Sequence, residues 1–267
     1  MRVVFLTQDA PFYVGRYFDR ILSRVSNVEC QVSSSAALDI RVYAFPSHLP
    51  GTGFFGTLWY YVWCYYGACR FASLALKRVW FGIRDTLGLT RRADSLRRVC
   101  RRHGVPFSRP KALTEAVKRE LRGLAPDVLF SLGCPVILKR DVIGIPRRAC
   151  LNIHSALLGK YRGANPIFWA LFHGEREIGV TIHLVDEGID TGDILMQERI
   201  PMPEGWTIHD AYEPICEIGS RMIAECLARL ASEPGPPTGR PMEIGPYYGF
   251  PTRADVREFR KAGRRFF

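Results

Sequence analysis

The chain has 267 residues, of which 47% are hydrophobic and 24% charged. That balance excludes disorder, collagen and a coiled-coil rod, and the length supplies a core that needs no disulfide or metal staple. The net charge is +11, but residues 1–150 hold 24 Lys+Arg against 10 Asp+Glu, while residues 151–267 hold 13 against 16. The basic excess therefore sits wholly in the first half. It suits an anionic partner there: nucleic acid, a membrane surface or a phosphorylated small molecule.

The chain opens on MRVVFLTQD, a strand entered at once, with no signal-peptide pattern. Val3–Thr7 is that strand. The loop QDAPFYVG follows, and Arg16–Val25 has helical spacing through Tyr17, Ile21, Leu22 and Val25. Arg41–Phe45 reads as a second strand. Residues 54–83 read as one helix and residues 92–103 as another, before a short strand at HGVPF (103–107).

Leu113–Leu121 is an amphipathic helix with Gly123 just beyond it. Pro126–Leu132 is a continuous apolar run, as in a parallel strand covered on both faces, and Ala149–Ile153 is another. Asn165-Pro166 starts a helix. Strands follow at Ile178–Val185 and Ile194–Ile200, then a long helix over Thr207–Leu230. Residues 233–246 are rich in Pro and Gly and form a linker. The tail carries a short helix capped by Thr252 or Asp255. Alternating strands and helices predict an α/β fold, mostly parallel, with helices on both faces and ligands beyond the carboxyl ends of the strands.

Two compositional features bear on location. The eight cysteines form no CxxC pair and mostly lie in apolar runs, so they read as reduced and buried in a cytoplasmic protein, with no structural zinc. From Phe54 to Leu76 the only charge is Arg70. That is near spanning length, but its Tyr and Trp favour an interface over a bilayer centre. Three readings stay open: a spanning helix, a helix on a membrane surface or dimer interface, and an ordinary half-buried helix.

There is no dinucleotide fingerprint, P-loop or GxSxG elbow. The polar chemistry lies elsewhere. Asn152 and His154, at i and i+2 on a strand, project from one face. Asn152 can donate to a developing oxyanion, and His154 can move a proton near neutral pH. A later loop, turned by Gly188 and Gly192, carries four carboxylates, Asp186, Glu187, Asp190 and Asp193. One of these could orient the imidazole or a water. Taken alone, the pair also fits a capped strand end, and the loop fits a solvated turn.

The run LNIHSALLGKYRGANPIFWALFHGEREIGVTIHLVDEGIDTGDILMQERIPM, residues 151–202, resembles the folate-dependent formyltransferases. That family comprises methionyl-tRNA, glycinamide ribonucleotide and sugar N-formyltransferases. Its pattern is roughly N-x-H-P-S-L-L-P-x-x-x-G, then G-x-T-x-H, then D-x-G-x-D-x-G. The upstream HGVPF and LAPDVLFSLG also look like it. The resemblance covers residues 100–205 well, 1–30 loosely and 40–95 hardly at all. Where the family has Pro-Ser after the His, this chain has Ser155-Ala156, and its later Pro is Gly159, which implies a looser substrate loop.

The resemblance implies a Rossmann-like formyltransferase fold, with a catalytic domain at 1–205. Residues 206–267 would be a C-terminal extension of helix, linker and tail packing on it. It implies formyl transfer from 10-formyltetrahydrofolate to a primary amine, without metal. Asn152, His154 and Asp190 would be the catalytic trio, with His183 structural or supporting. Asn152 and protonated His154 would hold the oxyanion, and Asp190 would assist proton movement and hold His154. The pterin would lie along Val136, Ile137 and Leu138 and the loop Asp186, Glu187 and Gly188. Lys160, Tyr161 and Arg162 are weaker acceptor-binding candidates, with Gln8 and Asp9 at the end of the first strand.

The loop after that strand lacks the glycine cluster of the ribonucleotide enzymes. About 60 residues follow Met202, fewer than the C-terminal domain of the tRNA enzymes needs. The tail YYGFPTRADVREFRKAGRRF resembles short formyltransferases of polysaccharide and secondary metabolism. A small amine is therefore expected: an amino sugar on a nucleotide or lipid phosphate, or a secondary-metabolite amine. Arg91, Arg92, Arg97, Arg98, Arg101 and Arg102 could steer such an anion or the folate tail, or form two solvated helix faces. Methionyl-tRNA and simple hydrolysis of 10-formyltetrahydrofolate are the alternatives. Nucleic acid is disfavoured, and a place on the inner face of a membrane stays open.

Overall fold

The computed structural model describes residues 1–10, 13–29, 38–47, 52–86 and 95–267. Arg91, Arg92 and Cys30 lie outside the described residues. The elements run β1 (Arg2–Gln8), α1 (Val14–Glu29), β2 (Asp39–Phe45), α2 (Phe54–Trp59), a π-helical turn (Tyr60–Tyr65), α3 (Ala68–Thr86), α4 (Leu96–Arg102) and β3 (Phe107–Ser108). They continue with α5 (Glu115–Leu124), β4 (Val128–Leu132), α6 (Arg140–Ile143), β5 (Ala149–His154), β6 (Arg162–Gly163), α7 (Pro166–Phe172) and β7 (Glu177–Leu184). Last come β8 (Ile194–Pro201), α8 (Ile208–Ser232), β9 (Tyr247–Tyr248) and α9 (Arg253–Lys261).

Seven strands form one sheet in the order β3-β2-β1-β4-β5-β7-β8. The first five are parallel, and β7 and β8 close one edge antiparallel. Alternation along the strands feeds two cores. Val3, Phe5, Val128 and Phe130 face α1, α4 and α8, while Val4, Leu6 and Leu129 face Leu121 of α5 and Val142 of α6. Phe130 lies at the centre of the larger core, stacked on Phe5, which meets Phe18 of α1 edge-on. The register aligns Thr7, Leu132 and Ile153, so the ends of β1, β4 and β5 share one sheet edge.

Three local expectations change. The 54–83 stretch is not one helix. The π-helical turn interrupts it and Gly67 at φ 86 breaks it, which lets Cys64 and Tyr65 turn inward. The helix expected to stop before Gly123 runs through it to Leu124. Ala125, at φ 45, takes the left-handed cap, and Pro126 then prevents continuation. Of HGVPF only Phe107 pairs, because Gly104 turns the chain at φ 66 and Pro106 has no N–H to give a ladder.

The two C-terminal helices start as their sequences imply. Thr207 and Asp210 form a reciprocal cap on α8, and Thr252 and Asp255 form one on α9. The side chain of Asn165, by contrast, makes no cap bond on α7. Helix α8 packs along α1 and buries Ile215, Gly219, Ile223 and Leu227.

Truncating Phe130 to Ala removes a fully buried ring that stacks on Phe5. It is expected to cost about 3–5 kcal/mol, read as a lowered urea midpoint with an unchanged slope.

Candidate active site

The site is built on one face of two neighbouring strands. Asn152 and His154 project together from β5. The antiparallel register sets His183 of β7 directly opposite Asn152. The loop after β7 then folds back so that Asp190 meets all three. Asn152 Nδ2 donates to Asp190 Oδ1 at 3.2 Å and lies 3.0 Å from His183 Nε2. His154 Nδ1 stands 3.6 Å from Asp190 Oδ2, and His183 Nε2 3.5 Å from Asp190 Oδ1. The expected trio is thus brought together over the second half of β5.

The fine wiring differs from the sequence reading. Both N–H groups of the Asn152 amide have partners, His183 and Asp190, which leaves its carbonyl oxygen free to act only as an acceptor. His183 Nδ1 meets the carbonyl of Leu184 at 2.8 Å, which leaves Nε2 as the acceptor for Asn152. His154 Nε2 meets the carbonyl of Tyr161 at 2.9 Å. Acceptors thus lie beside both ring nitrogens of His154, the Tyr161 carbonyl and the Asp190 carboxylate. The 3.6 Å gap to Asp190 exceeds a hydrogen bond, so the Nδ1 side remains available to a ligand.

Asp190 is nearly enclosed. Burial opposes its charge, but His154 and the N–H of Gly163, 2.9 Å away, outweigh that cost and hold its carboxyl at about 2. A carboxylate this acidic is a weak proton acceptor at neutral pH. Its contribution is a fixed negative charge. Asp190 also takes the left-handed conformation, φ 51, which costs energy in a residue other than glycine.

The loop between β5 and α7 supplies the support. Gly163, at φ 96, brings its N–H to Asp190, and a Cβ there would stand 2.3 Å from the carbonyl of Tyr248. Gly159, where the family has proline, has a similar reason. A Cβ would lie 2.2 Å from the carbonyl of Glu243. The glycine therefore allows close packing of the 243–248 tail against the loop, rather than looseness. β6 and β9 join the two segments.

The other candidates divide. Gln8 and Asp9 lie at the shared sheet edge, where Gln8 accepts from Ser47 at 2.8 Å and Asp9 pairs with Arg109 at 2.8 Å. Lys160 and the Tyr161 hydroxyl both turn to Glu175, at 3.1 and 2.8 Å. Arg162 donates to the carbonyls of Gly245 and Ile189. These three side chains brace the loop, and it is the Tyr161 backbone that reaches His154.

Leu138 is buried in the smaller core with Val136 at its margin, whereas Ile137 is 61% exposed. Arg140 and Glu187, 3.5 Å apart, tie this segment to the 186–190 loop. Within that loop Asp186 Oδ1 accepts from Gly188 and Thr191, which sets its turn. On α4, Arg102 and His103 pair with Asp19, while Arg97 and Arg101 are exposed. His173 is exposed at the end of α7.

A family pattern described as Formyl transferase matches residues 85–227, more than half of the chain. The chain belongs to the formyl transferase family. The methionyl-tRNA formyltransferase of Aromatoleum aromaticum is 38% identical over 148 residues, 55% of this chain and 47% of that protein. That of Citrifermentans bemidjiense is 36% identical over 135 residues, 50% of this chain and 42% of that protein. The chain thus spans under half the length of these relatives.

Among solved structures, glycinamide ribonucleotide transformylase 1 from Symbiobacterium toebii superposes with a TM-score of 0.59 at 19% identity, covering 92% of this chain and 94% of that one. A sugar N-formyltransferase from a Shewanella species gives 0.54 at 18%, covering 94% and 77%. At these identities the likeness speaks for the formyl transferase fold. His183 and Gly163 are the supporting residues whose roles needed the structure. The G-x-T-x-H spacing signals the first, and the closing glycine of the N-x-H-P-S-L-L-P-x-x-x-G pattern falls on the second.

Folding lowers the Asp190 pKa, so its stabilising contribution is complete above the unfolded value of about 4 and disappears as pH falls through about 2. The stability gap between the wild type and Asp190→Asn, measured by urea unfolding, is expected to shrink by about 2 kcal/mol between pH 5 and pH 2.

Proposed function

We propose that the chain moves a formyl group from 10-formyltetrahydrofolate to the primary amine of a small molecule. The observation that carries this reading is the convergence of Asn152, His154 and the permanently ionised Asp190 at one site, with family membership beside it. The amine nitrogen attacks the formyl carbon, and the carbonyl electron pair moves onto oxygen. The Nδ1 edge of His154 is set to face that oxyanion, with the Asp190 carboxylate 3.6 Å away. The free carbonyl of Asn152 accepts an N–H of the attacking amine and aims its lone pair. The attacking nitrogen gives up a proton to water, the carbonyl re-forms as the C–N bond to folate breaks, and the folate nitrogen leaves with a proton delivered by His154 or a water. Asp190 stabilises these proton positions without itself being the base.

The pterin is assigned to the slot between residues 136–138 and 186–190. Exposed Ile137 and Ile189 flank it, and the Arg140–Glu187 pair spans it. The acceptor assigned is an amino sugar carried on a nucleotide or lipid phosphate, supported by the fold shared with sugar N-formyltransferases and the basic first half of the chain. The second reading is methionyl-tRNA, favoured by the names of the relatives at 36–38% identity.

Asn152→Ala, His154→Ala and Asp190→Ala are each expected to lower kcat/KM by roughly 100- to 10,000-fold with melting curves still cooperative. Near-wild-type turnover in any of them would remove that residue from the mechanism. Incubation with 10-formyltetrahydrofolate and a panel of nucleotide-linked amino sugars, amino acids and Met-tRNA separates the acceptors, read by mass spectrometry as the gain of one formyl group. Folate consumption without an amine would mean hydrolysis instead.

A further inference from the structure

Among the described residues, the exposed large apolar side chains concentrate on one stretch of chain. Phe55, Trp59, Trp63, Leu76, Val79, Trp80 and Ile83 all stand at least 46% exposed. On α3, Leu76, Val79, Trp80 and Ile83 follow the i, i+3, i+4, i+7 spacing of one helical stripe. Arg70, Lys77 and Arg84 recur at intervals of seven and run along the flank of that stripe. No described side chain of α3 is buried, and among the described residues the stripe stays largely open. From Phe54 to Arg84 the sequence has no Asp or Glu.

A second observation adjoins the first. Trp63 lines a cleft of about 460 Å³ whose other walls are Arg253, Val256, Arg257, Arg260 and Lys261 of α9. Arg260 is engaged by the carbonyls of Tyr65 and Tyr66, and Lys261 by Glu258. Arg253 and Arg257 have no ion-pair partner among the described residues, and both face outward.

We propose that residues 54–84 dock flat on an anionic lipid bilayer, with the apolar stripe in the headgroup boundary and Lys77, Arg84, Arg253 and Arg257 meeting lipid phosphates. Three considerations select this occupant. Exposed tryptophans flanked by cations match the membrane interface rather than its centre. No helix among the described residues is long and apolar enough to cross a membrane, so the segment lies on the surface. A second copy around a two-fold axis would set this cationic rim against itself, which costs affinity, whereas anionic lipid complements it.

The docked element also connects to the site. The Tyr60 hydroxyl donates to the carbonyl of Pro251 at 2.8 Å, and the Tyr60 ring meets Phe250. Tyr248, just before, pairs with Gly163, whose N–H holds Asp190.

The test is flotation of the full chain with vesicles of phosphatidylcholine alone and of equal parts phosphatidylcholine and phosphatidylglycerol. Binding to the mixed vesicles is expected to be at least about 10-fold tighter and to weaken with salt. Combining Leu76→Ser and Trp80→Ser should lower it on the order of 100-fold, with the melting temperature retained because both side chains are exposed. Arg253→Gln with Arg257→Gln should remove most of the preference for anionic lipid, and carries the test alone if the first variant does not fold. No binding to either vesicle, or equal binding to both, overturns the proposal. So does a concentration-dependent dimer abolished by Leu76→Ser and Trp80→Ser in a chain that ignores vesicles.

Discussion

The site depends on keeping one carboxylate charged in a place that resists charge. Asp190 is withdrawn from water, and that alone would favour its neutral form. His154, the Asn152 amide and the Gly163 N–H converge to reverse the preference, the amide and the N–H through direct hydrogen bonds to Asp190. The orientation of the Asn152 amide follows from it, because turning the amide over would set carbonyl against carboxylate. The acceptor on each side of the His154 ring follows from it as well. A neutral residue at 190 would leave these groups without a common reason for their positions.

Holding that carboxylate requires parts of the chain that are far apart in sequence. β5 and β7 supply side chains from the rigid middle of the sheet. The 155–163 loop supplies the Gly163 N–H, and that loop is clamped by the 243–248 tail through two short strands and two close glycine approaches. The tail is anchored by Trp169, which donates to the carbonyl of Gly249 at 3.0 Å, and by the contact between Phe168 and Phe259 of α9. The last thirty or so residues thus reach the active site indirectly, by packing on the loop that completes it.

The same tail faces the aromatic element on its other side. Tyr65 packs on Phe168 and Phe266, so the inner edge of the π-helical turn belongs to the core. The outer edge and α3 carry apolar and basic side chains into solvent. One element is therefore core on one side and uncovered on the other. The positive charge of the first half is a surface property of this kind. Its arginines do not enter the catalytic cluster, whose electrostatics are set by Asp190 and its neighbours.

Much was legible from local pattern. Continuous apolar runs marked β1, β4 and β5, because strands covered on both faces have no polar side to show. Asn152 and His154 were placed on one face by strand periodicity alone, and the spacing through Asp190 carried the family. The sequence also determined that 54–84 is aromatic, nearly uncharged at its start and free of acid. Periodicity could not show that the segment breaks at a π-helical turn, since burial of Tyr65 against a distant tail decides it. Nor could it show that Lys160 and Arg162 would be spent on internal partners, that Gly159 serves close packing, or which way the Asn152 amide turns. Those outcomes rest on contacts between segments far apart in sequence, as between Tyr65 and Phe266 or Gly163 and Tyr248, and on the balance of burial against charge that only a folded arrangement sets.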